Sequence, residues 1–299
     1  MIILFNTKQL KCIKHFKVMK RTFSEMSEKR RIVLFASEIA GLISKNPYEP
    51  VSKCWNKVFQ RVVKDGEAVL AENKIEVAKT DQQIIQEITS KNGVKLSTPS
   101  FQSRQFATLA DLKQDKEKIL AEIEGNTKLK KEEKQVLKKS VNSQLQKDFG
   151  TKEETSVTDV AEKLIGKQIE KTYRFVMKKM FETETIAWYV GGRVDGLTKA
   201  GEVVEIKNRM RRLFNEVKQY EYIQLITYLF IHSAPGGYLV EGFKSPEKLL
   251  TNHNFVDFDA DIWQNEICDN LKKAGDLFDK TGGLQNPKFF LDGLKEIPF

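Results

Sequence analysis

Three charged residues, Asp195, Glu205 and Lys207, interrupt two otherwise apolar runs in GRVDGLTKAGEVVEIKNR, residues 192–209. Core strands are normally filled with Val, Ile and aromatic side chains, because a buried acid costs free energy unless its charge is compensated. Side chains of a strand alternate between its faces, so Glu205 and Lys207 share one face. Arg193 and Asp195 share a face of the preceding run in the same way. These charges therefore either face solvent or hold a cation and do chemistry.

A hairpin that turns at Gly201 would bring Asp195 beside Glu205 on one side of a sheet. Two carboxylates this close repel each other unless a divalent cation lies between them. Mg²⁺ fits because it takes a few carboxylate oxygens and keeps several waters, and Mn²⁺ is an expected substitute. Lys207 would orient or help to deprotonate the attacking water, and the cation would favour a lowered pKa for this lysine. The pattern indicates metal-assisted hydrolysis of a phosphodiester. The alternative is a solvent-exposed hairpin face whose charges pair across the strands.

The elements that must position these residues predict a compact α/β core from 151 to 280. Thr151 with Glu154 fits a capping box that begins a long helix. The runs that follow predict two strands joined by the Gly201 turn, then a helix, a further strand and a closing helix. In order, these are IAWYVGGRVDGL, EVVEIKN, residues 216–231, GGYLVEGF and DIWQNEICDNLKKAGDLF.

Two short helices and an insertion are predicted before this core. SEIAGLISKN, residues 37–46, predicts a helix with Ser37 at its cap, and a second helix follows Pro50 with Trp55 among its core positions. Residues 66–149 are rich in Lys, Glu and Gln and carry only sparse apolar stripes. They predict a helical insertion whose lysines keep its helices soluble.

The charge balance limits the functions that composition can support. The chain of 299 residues has 50 Lys and Arg against 41 Asp and Glu, a net charge of +9. Residues 1–31 hold nine basic and two acidic residues, so the excess reports mainly a basic N-terminal arm and does not indicate a wholly basic nucleic-acid binder. The arm is compatible with an organellar transit peptide, with an arm on DNA, or with sequence upstream of a start at Met19 or Met26.

Cysteine usage and hydropathy indicate an intracellular, soluble protein. The three cysteines lie far apart, without the paired spacing of a zinc or redox motif. No apolar run reaches the length that crosses a bilayer, so no membrane is expected. The nucleus, the mitochondrion and a viral or host cytoplasm all stay open as compartments.

Asp195 followed after nine residues by Glu205-Ile206-Lys207 resembles the signature of the PD-(D/E)XK nuclease superfamily, in particular its lambda exonuclease and YqaJ viral recombinase branch. Four further segments are similar to that branch: FGTKEE at 149–154, QLITY at 224–228, RRIVLFASEIAGLISKNPYE at 30–49 and FDADIWQNEI at 258–267. The resemblance covers roughly residues 30–60 and 149–280. It implies an α/β fold with a restriction-endonuclease-like core, a mixed sheet flanked by helices, to which N-terminal helices and the helical insertion are added.

The resemblance implies a metal site with four ligands: the side chains of Asp195, Glu205 and Glu154 and the carbonyl of Ile206. Lys207 would be the catalytic lysine. Gln224 and Tyr228, one helical turn apart and so on one helix face, would steady that lysine or contact DNA. Glu154 also fits the capping-box partner of Thr151 alone, in which case Glu153 and Glu162 are the fallbacks.

The resemblance also implies contacts with DNA. Arg30 and Ser37 would bind a terminal 5′-phosphate, together with Arg193. Arg209 follows the catalytic strand and would meet the phosphate backbone, with an exposed arginine loop as the alternative.

The domain organisation predicted on this basis is a basic arm or targeting segment at 1–29 and a single nuclease domain at 30–299. Within that domain, 66–149 would be the insertion and 150–280 the catalytic core. The expected function is Mg²⁺-dependent 5′-to-3′ exonuclease digestion of double-stranded DNA ends in recombination or repair. A trimeric homo-oligomer and a single-strand annealing or recombinase partner go with it. The alternatives are a structure- or sequence-selective endonuclease on the same core, a non-catalytic DNA-binding or scaffold protein, and a protein–protein adaptor built on the insertion.

Overall fold

The computed structural model describes residues 29–103, 108–209, 212–244 and 248–299, without the side chains of 101, 151–156 and 244. The predicted arm, apart from Lys29, lies outside the described residues. The strands are β1 (Arg30–Phe35), β2 (Ile169–Lys171), β3 (Val176–Glu182), β4 (Ile186–Gly192), β5 (Gly196–Thr198), β6 (Val203–Arg209), β7 (Gly236–Lys244) and β8 (Leu249–Asp257). The helices are α1 (Ile39–Leu42), α2 (Val51–Val62), α3 (Gly66–Glu72), α4 (Asp81–Asn92), α5 (Leu109–Gly125), α6 (Lys131–Ile165), α7 (Gln219–His232), α8 (Asp269–Lys280) and α9 (Pro287–Gly293).

Within the described ranges the strands form two mixed sheets. The first has the order β1-β4-β3, with β1 parallel and β3 antiparallel to β4. The second has the order β2-β5-β6-β7-β8, in which β6 and β7 are parallel and the other pairs antiparallel. Helices flank both sheets, so the predicted α/β fold with mixed sheets is confirmed.

Helix α7 joins the two sheets. It packs against β3 and β4 of the first sheet and against β6 and β7 of the second. It is buried over most of its surface, as its almost continuously apolar sequence requires. The main core continues from this helix into an aromatic group in which edge-on ring pairs link Trp188 with Trp55 and Phe278, and Phe290 with Trp55 and Phe278. The same helix also carries two of the predicted site residues.

Helix α6 is shared between two packing regions. Its first half packs with α4 and α5 around an apolar cluster of their own, which includes Leu137, Val141 and Leu145. Its last turns carry Val157 onto β6 and β7, where a separate cluster includes Val204. At about 1.5 Å per residue, the 35 residues of this helix reach roughly 50 Å. One long helix thus connects the insertion with the second sheet.

The structure corrects the predicted start of this helix. α6 begins at Lys131 and runs through Thr151 without interruption, so Thr151 is not a helix cap. The capping box at the true start joins Lys130 and Glu133, whose carboxylate accepts from the Lys130 backbone N–H. The apolar stripe of the insertion reaches Phe149, and Val157 packs onto the second sheet further along the helix. This tertiary packing on both sides of position 151 outweighs the cap-like signal there.

The predicted hairpin also differs from the observed strands. IAWYVGGRVDGL divides into β4, which lies in the first sheet, and β5, which lies in the second. The turn at Gly201, where φ is +79°, joins β5 to β6 as predicted. The chain passes from the first sheet to the second between Gly192 and Gly196, and this short link contains the predicted site residues Arg193 and Asp195.

The N-terminal helix is shorter than predicted. Ser37 lies inside a 3₁₀ turn, Ala36–Glu38, whose N-cap residue is Phe35, so Ser37 is not the cap. The α-helical part that follows spans only Ile39–Leu42. In the described parts of the chain, no helix has the length and apolarity needed to cross a membrane. The boundaries of the arm, the insertion and the core remain predictions.

Candidate active site

Strand β6 presents Glu205 and Lys207 on one face, as the alternation of a strand requires. The Lys207 Nζ lies 2.7 Å from the Glu205 Oε1. Helix α7 adds Gln224, whose Oε1 accepts from the Lys207 Nζ at 3.0 Å and whose Nε2 donates to the same Glu205 Oε1 at 3.0 Å. The three side chains form a closed triangle of hydrogen bonds between the strand and the helix.

Asp195 reaches this site from the link between β4 and β5. Its Oδ2 accepts from the backbone N–H of Ile206 at 2.6 Å. β5 pairs only with Val203 and Val204 of β6, so the edge of β6 is open to Asp195 beyond that point. The N–H and C=O of one strand residue point to the same side, so the Ile206 carbonyl also points toward Asp195. The structure therefore brings Asp195, Glu205 and Lys207 together in one cleft of about 590 Å³.

Tyr228 supports the site from one turn further along α7. Its hydroxyl lies 3.4 Å from the Gln224 Nε2, and its side chain is buried. Gly192 is required beside it, because a Cβ at Gly192 would lie 2.6 Å from a carbon of the Tyr228 ring. Burial, and next the negative charge of Glu205, raise the pKa of Tyr228. Tyr228 is therefore a neutral hydroxyl that packs the helix onto the end of β4.

The electrostatics of Lys207 differ from the expectation for a lysine beside a cation. Burial alone would lower the pKa of Lys207, but the charge of Glu205 and its hydrogen bond raise that pKa above its ordinary value. Lys207 is consequently an ammonium group that donates hydrogen bonds within the site. A lowered pKa would need the positive charge of a bound cation in addition to these residues.

The donor set is all oxygen, the ligand type that Mg²⁺ prefers. It consists of the Asp195 and Glu205 carboxylates and the Ile206 carbonyl, beside space for water in the cleft. Among the described side chains, no three His, Cys, Asp or Glu residues are grouped for a metal ion. Two carboxylates and a carbonyl fit a cation that keeps several waters, and they leave room for one more acid.

The helix-borne acid predicted at Glu154 lies in α6, but its side chain is outside the described residues, as is that of the fallback Glu153. Four residues before position 154, Gly150 lines the cleft with Asp195, and four residues after it, Thr158 lines an adjoining cleft that also includes Asp195. The other fallback, Glu162, accepts the Ile169 N–H at 2.8 Å and so joins α6 to β2. The metal role of Glu154 remains a prediction.

The structure places Arg209 at the candidate cleft and pairs it with protein carboxylates, and its predicted contact with phosphate remains a prediction. The Arg209 side chain is only 10% exposed and lies between two buried carboxylates. Its two terminal nitrogens lie 2.7 and 2.8 Å from the Glu221 oxygens, and its Nε lies 2.5 Å from the Glu241 Oε1. Glu241 also accepts the backbone N–H groups of Phe214 and Asn215. Arg209 therefore organises the loop after β6.

The residues predicted for the 5′-phosphate are separated by the length of β1. Arg30 begins β1 and donates to the Val62 carbonyl, whereas Ser37 follows the other end of the strand. At about 3.3 Å per residue, the two Cα atoms are roughly 20 Å apart. Ser37 and the exposed Arg193 instead line one cleft of about 480 Å³ together with Tyr228. Arg30 is not among the described residues that line this cleft, and its binding of a phosphate remains a prediction.

Three clefts adjoin one another along this surface. The cleft that holds Glu205 and Lys207 and a second cleft of about 350 Å³ both include Asp195. The second cleft shares Tyr173 and Arg193 with the Ser37 cleft. Sequence reasoning missed Lys171 and Tyr173, which precede β3, because no strand was predicted there. The Tyr173 side chain is 82% exposed. Together the clefts form a trough that runs past the carboxylates.

Neither a family model nor a curated protein sequence matches this chain. Among solved structures, the alkaline exonuclease LHK-Exo from Laribacter hongkongensis matches with a TM-score of 0.35 and 12% identity, over 71% of this chain and 96% of the other. The structure of LHK-Exo in complex with dAMP matches with a TM-score of 0.35 and 12% identity, over 71% of this chain and 89% of the other. A structure described as SSO0001 matches with a TM-score of 0.32 and 15% identity, over 66% of this chain and 87% of the other. Similarities of this size do not establish a function.

Proposed function

We propose that the protein is a metal-dependent nuclease that hydrolyses phosphodiester bonds in DNA. One observation carries the proposal: Asp195, from the link between β4 and β5, and Glu205, from β6, reach one cleft beside the ammonium group of Lys207. Acids and a lysine converging in an open cleft are the parts that hydrolysis of a phosphate diester needs. Such a group of charges is costly to assemble for structural reasons alone.

The residues have distinct roles in this proposal. Asp195, Glu205 and the Ile206 carbonyl would hold Mg²⁺, or Mn²⁺ in its place, and Glu154 would complete the site. The bound cation would supply charge neutralisation at the phosphate and a more acidic water. Lys207 would donate hydrogen bonds to the attacking water or a phosphate oxygen, and so stabilise the negative charge of the transition state.

Exonuclease action on duplex ends, from 5′ to 3′, is the finer part of the proposal. The exposed residues Ser37 and Arg193 line a cleft that adjoins the catalytic one, which is where a terminal phosphate would be recognised. Tyr173, exposed between the two, offers a flat ring to a nucleobase. The role in recombination or repair, the trimeric assembly and an annealing or recombinase partner follow from the sequence resemblance and belong to the same proposal.

The test is digestion of linear duplex DNA with a 5′-phosphate and of closed circular DNA, in Mg²⁺, in Mn²⁺ and in EDTA. We expect the wild-type protein to degrade the linear substrate only. EDTA should abolish the reaction, and Lys207→Ala and Asp195→Asn should each reduce it at least about a hundredfold. Lys199→Ala is the matched control, because Lys199 is an exposed lysine in the turn of the same hairpin.

Cleavage of the closed circular DNA would show that the protein is an endonuclease that uses the same residues, and the exonuclease proposal would then be wrong. Binding of DNA with no product in any metal would mean that the acids are structural, and the nuclease proposal would then be wrong.

A further inference from the structure

The catalytic cleft has a second wall that comes from the insertion. Besides Asp195 and Glu205, the cleft is lined by one polar stripe of α6: Ser143, Gln146, Lys147 and Gly150. These positions are spaced i, i+3, i+4 and i+7, so they lie on one face of the helix. The insertion thus contributes directly to the surface around the candidate catalytic groups.

A hydrogen bond joins this stretch of α6 to β6. The Asn208 Nδ2 donates to the Gly150 carbonyl at 2.7 Å. Asn208 directly follows Lys207 in β6, and its side chain points to the opposite face of the strand, so this bond ties α6 to β6 one residue beyond the lysine. This bond therefore fixes the position of Gly150 relative to β6.

Lys147 is the basic group that this wall presents. Its side chain is 64% exposed, although its Nζ lies 2.6 Å from the Asp81 Oδ2 of α4. An ammonium group has three N–H donors, so one bond to Asp81 leaves donors for an anion in the cleft. Gln146, also exposed, adds an amide next to it. A lysine and an amide on one helix face suit the phosphates and sugars of a nucleic-acid backbone, which are read without regard to sequence.

We propose that Lys147 and Gln146 of α6 bind the sugar–phosphate backbone of the strand that lies in the catalytic cleft. The insertion is then part of the substrate-binding surface, and the role of Lys147 goes beyond keeping a helix soluble. This inference rests on the proposed nuclease function and names a binding wall for its substrate.

The competing role for Lys147 is structural, through its ion pair with Asp81. The chain contains a matched control for that role. Lys138 lies on the same helix, is paired with Glu124 of α5, and stands nine residues earlier, which is the opposite helix face. Of these two ion-paired lysines of α6, Lys147 lines the cleft and Lys138 does not.

The experiment measures DNA affinity in EDTA, without turnover, between 50 and 200 mM KCl, for a fluorescent 5′-phosphorylated duplex. We expect Lys147→Ala to weaken binding roughly tenfold at the lowest salt and to reduce the slope of log K against log salt by about 0.9, the value of one phosphate contact. Lys147→Arg should restore both quantities. Lys138→Ala should behave as the wild type does.

Asp81→Asn separates the two roles of Lys147, because it removes the ion pair but keeps the cation. If Lys147 binds phosphate, this variant should keep the wild-type slope. The inference is wrong if Lys147→Ala keeps the wild-type affinity and slope. It is also wrong if Asp81→Asn lowers the DNA affinity and the slope as much as Lys147→Ala does. The proposed function itself is tested on the wild-type protein alone. If that protein neither binds nor cuts DNA, the nuclease proposal is wrong, whatever the variants show.

Discussion

At the scale of the residue, the site depends on how one carboxylate oxygen is shared. The Glu205 Oε1 accepts from both the Lys207 Nζ and the Gln224 Nε2. Gln224 uses its amide twice, since its Oε1 also accepts from Lys207. The amide therefore fixes the direction in which the lysine points, without itself needing to touch substrate. Gln224 is best described as a positioning residue.

Gln224→Ala should lower kcat about 10- to 100-fold while leaving DNA affinity within about twofold, because the lysine stays charged but loses one of its two anchors. Steady-state digestion and binding in EDTA measure the two effects. Gln219→Ala is the control, as Gln219 is exposed at the start of the same helix. An equal loss of affinity and kcat would show that Gln224 contacts DNA directly.

At the scale of the element, Arg209 joins three segments. It lies on β6, its guanidinium is held by Glu221 of α7 and Glu241 of β7, and it stacks at 4.0 Å over the Phe214 ring of the connecting loop. Since Lys207 precedes it by two residues and Gln224 follows Glu221 by three, this network sets the angle between the catalytic strand and its helix. Its role is to position, even though it lies beside the site.

Arg209→Ala should destabilise the protein by about 3–5 kcal/mol, because it leaves two buried carboxylates without a counter-charge. Arg209→Lys should lower the free energy of unfolding by less, because a lysine keeps the positive charge. Some loss should remain, because a lysine lacks the planar guanidinium that bridges both acids. Denaturant unfolding measures both. The control Arg212→Ala, in the exposed part of the same loop, should be neutral within about 0.5 kcal/mol. A neutral Arg209→Ala would contradict the role of the network.

The same elements show what the sequence could and could not predict. Glu205 and Lys207 were predictable because strand alternation is local, and α7 because its apolar run is long. β3 was missed because none of its residues, VMKKMFE, is fully buried and the two adjacent lysines interrupt the apolar pattern. The role of Arg209 was not predictable, since its partners come from a helix and a strand further along the chain and only the fold brings them together.

At the scale of the whole molecule, the hydrophobic contacts fall into separate regions. The main cluster surrounds α7 and the first sheet, and a second cluster belongs to the insertion helices α4 to α6. α4 has no fully buried residue, whereas most of α7 is buried. Stability is therefore distributed unevenly between the insertion and the core.

Hydrogen exchange should show this difference directly. Amides of α7 should exchange only on global unfolding, while those of α4 should exchange roughly tenfold faster or more, through local opening. Mass spectrometry of peptides from 81–92 and 219–232, under conditions where the fold is intact, makes the comparison. Equal protection of the two helices would mean that the insertion and the core open as one cooperative unit.

Gly150 lies where these two regions meet within α6. It follows the insertion cluster, which ends at Phe149, and precedes the contact of Val157 with the catalytic sheet. A Cβ at Gly150 would meet nothing within 4 Å, so neither crowding nor an unusual backbone angle requires a glycine there. Glycine weakens a helix by about 1 kcal/mol relative to alanine. Bending of the long helix is therefore easiest at Gly150, and the insertion would tilt about this residue, which the hydrogen bond from Asn208 holds against β6.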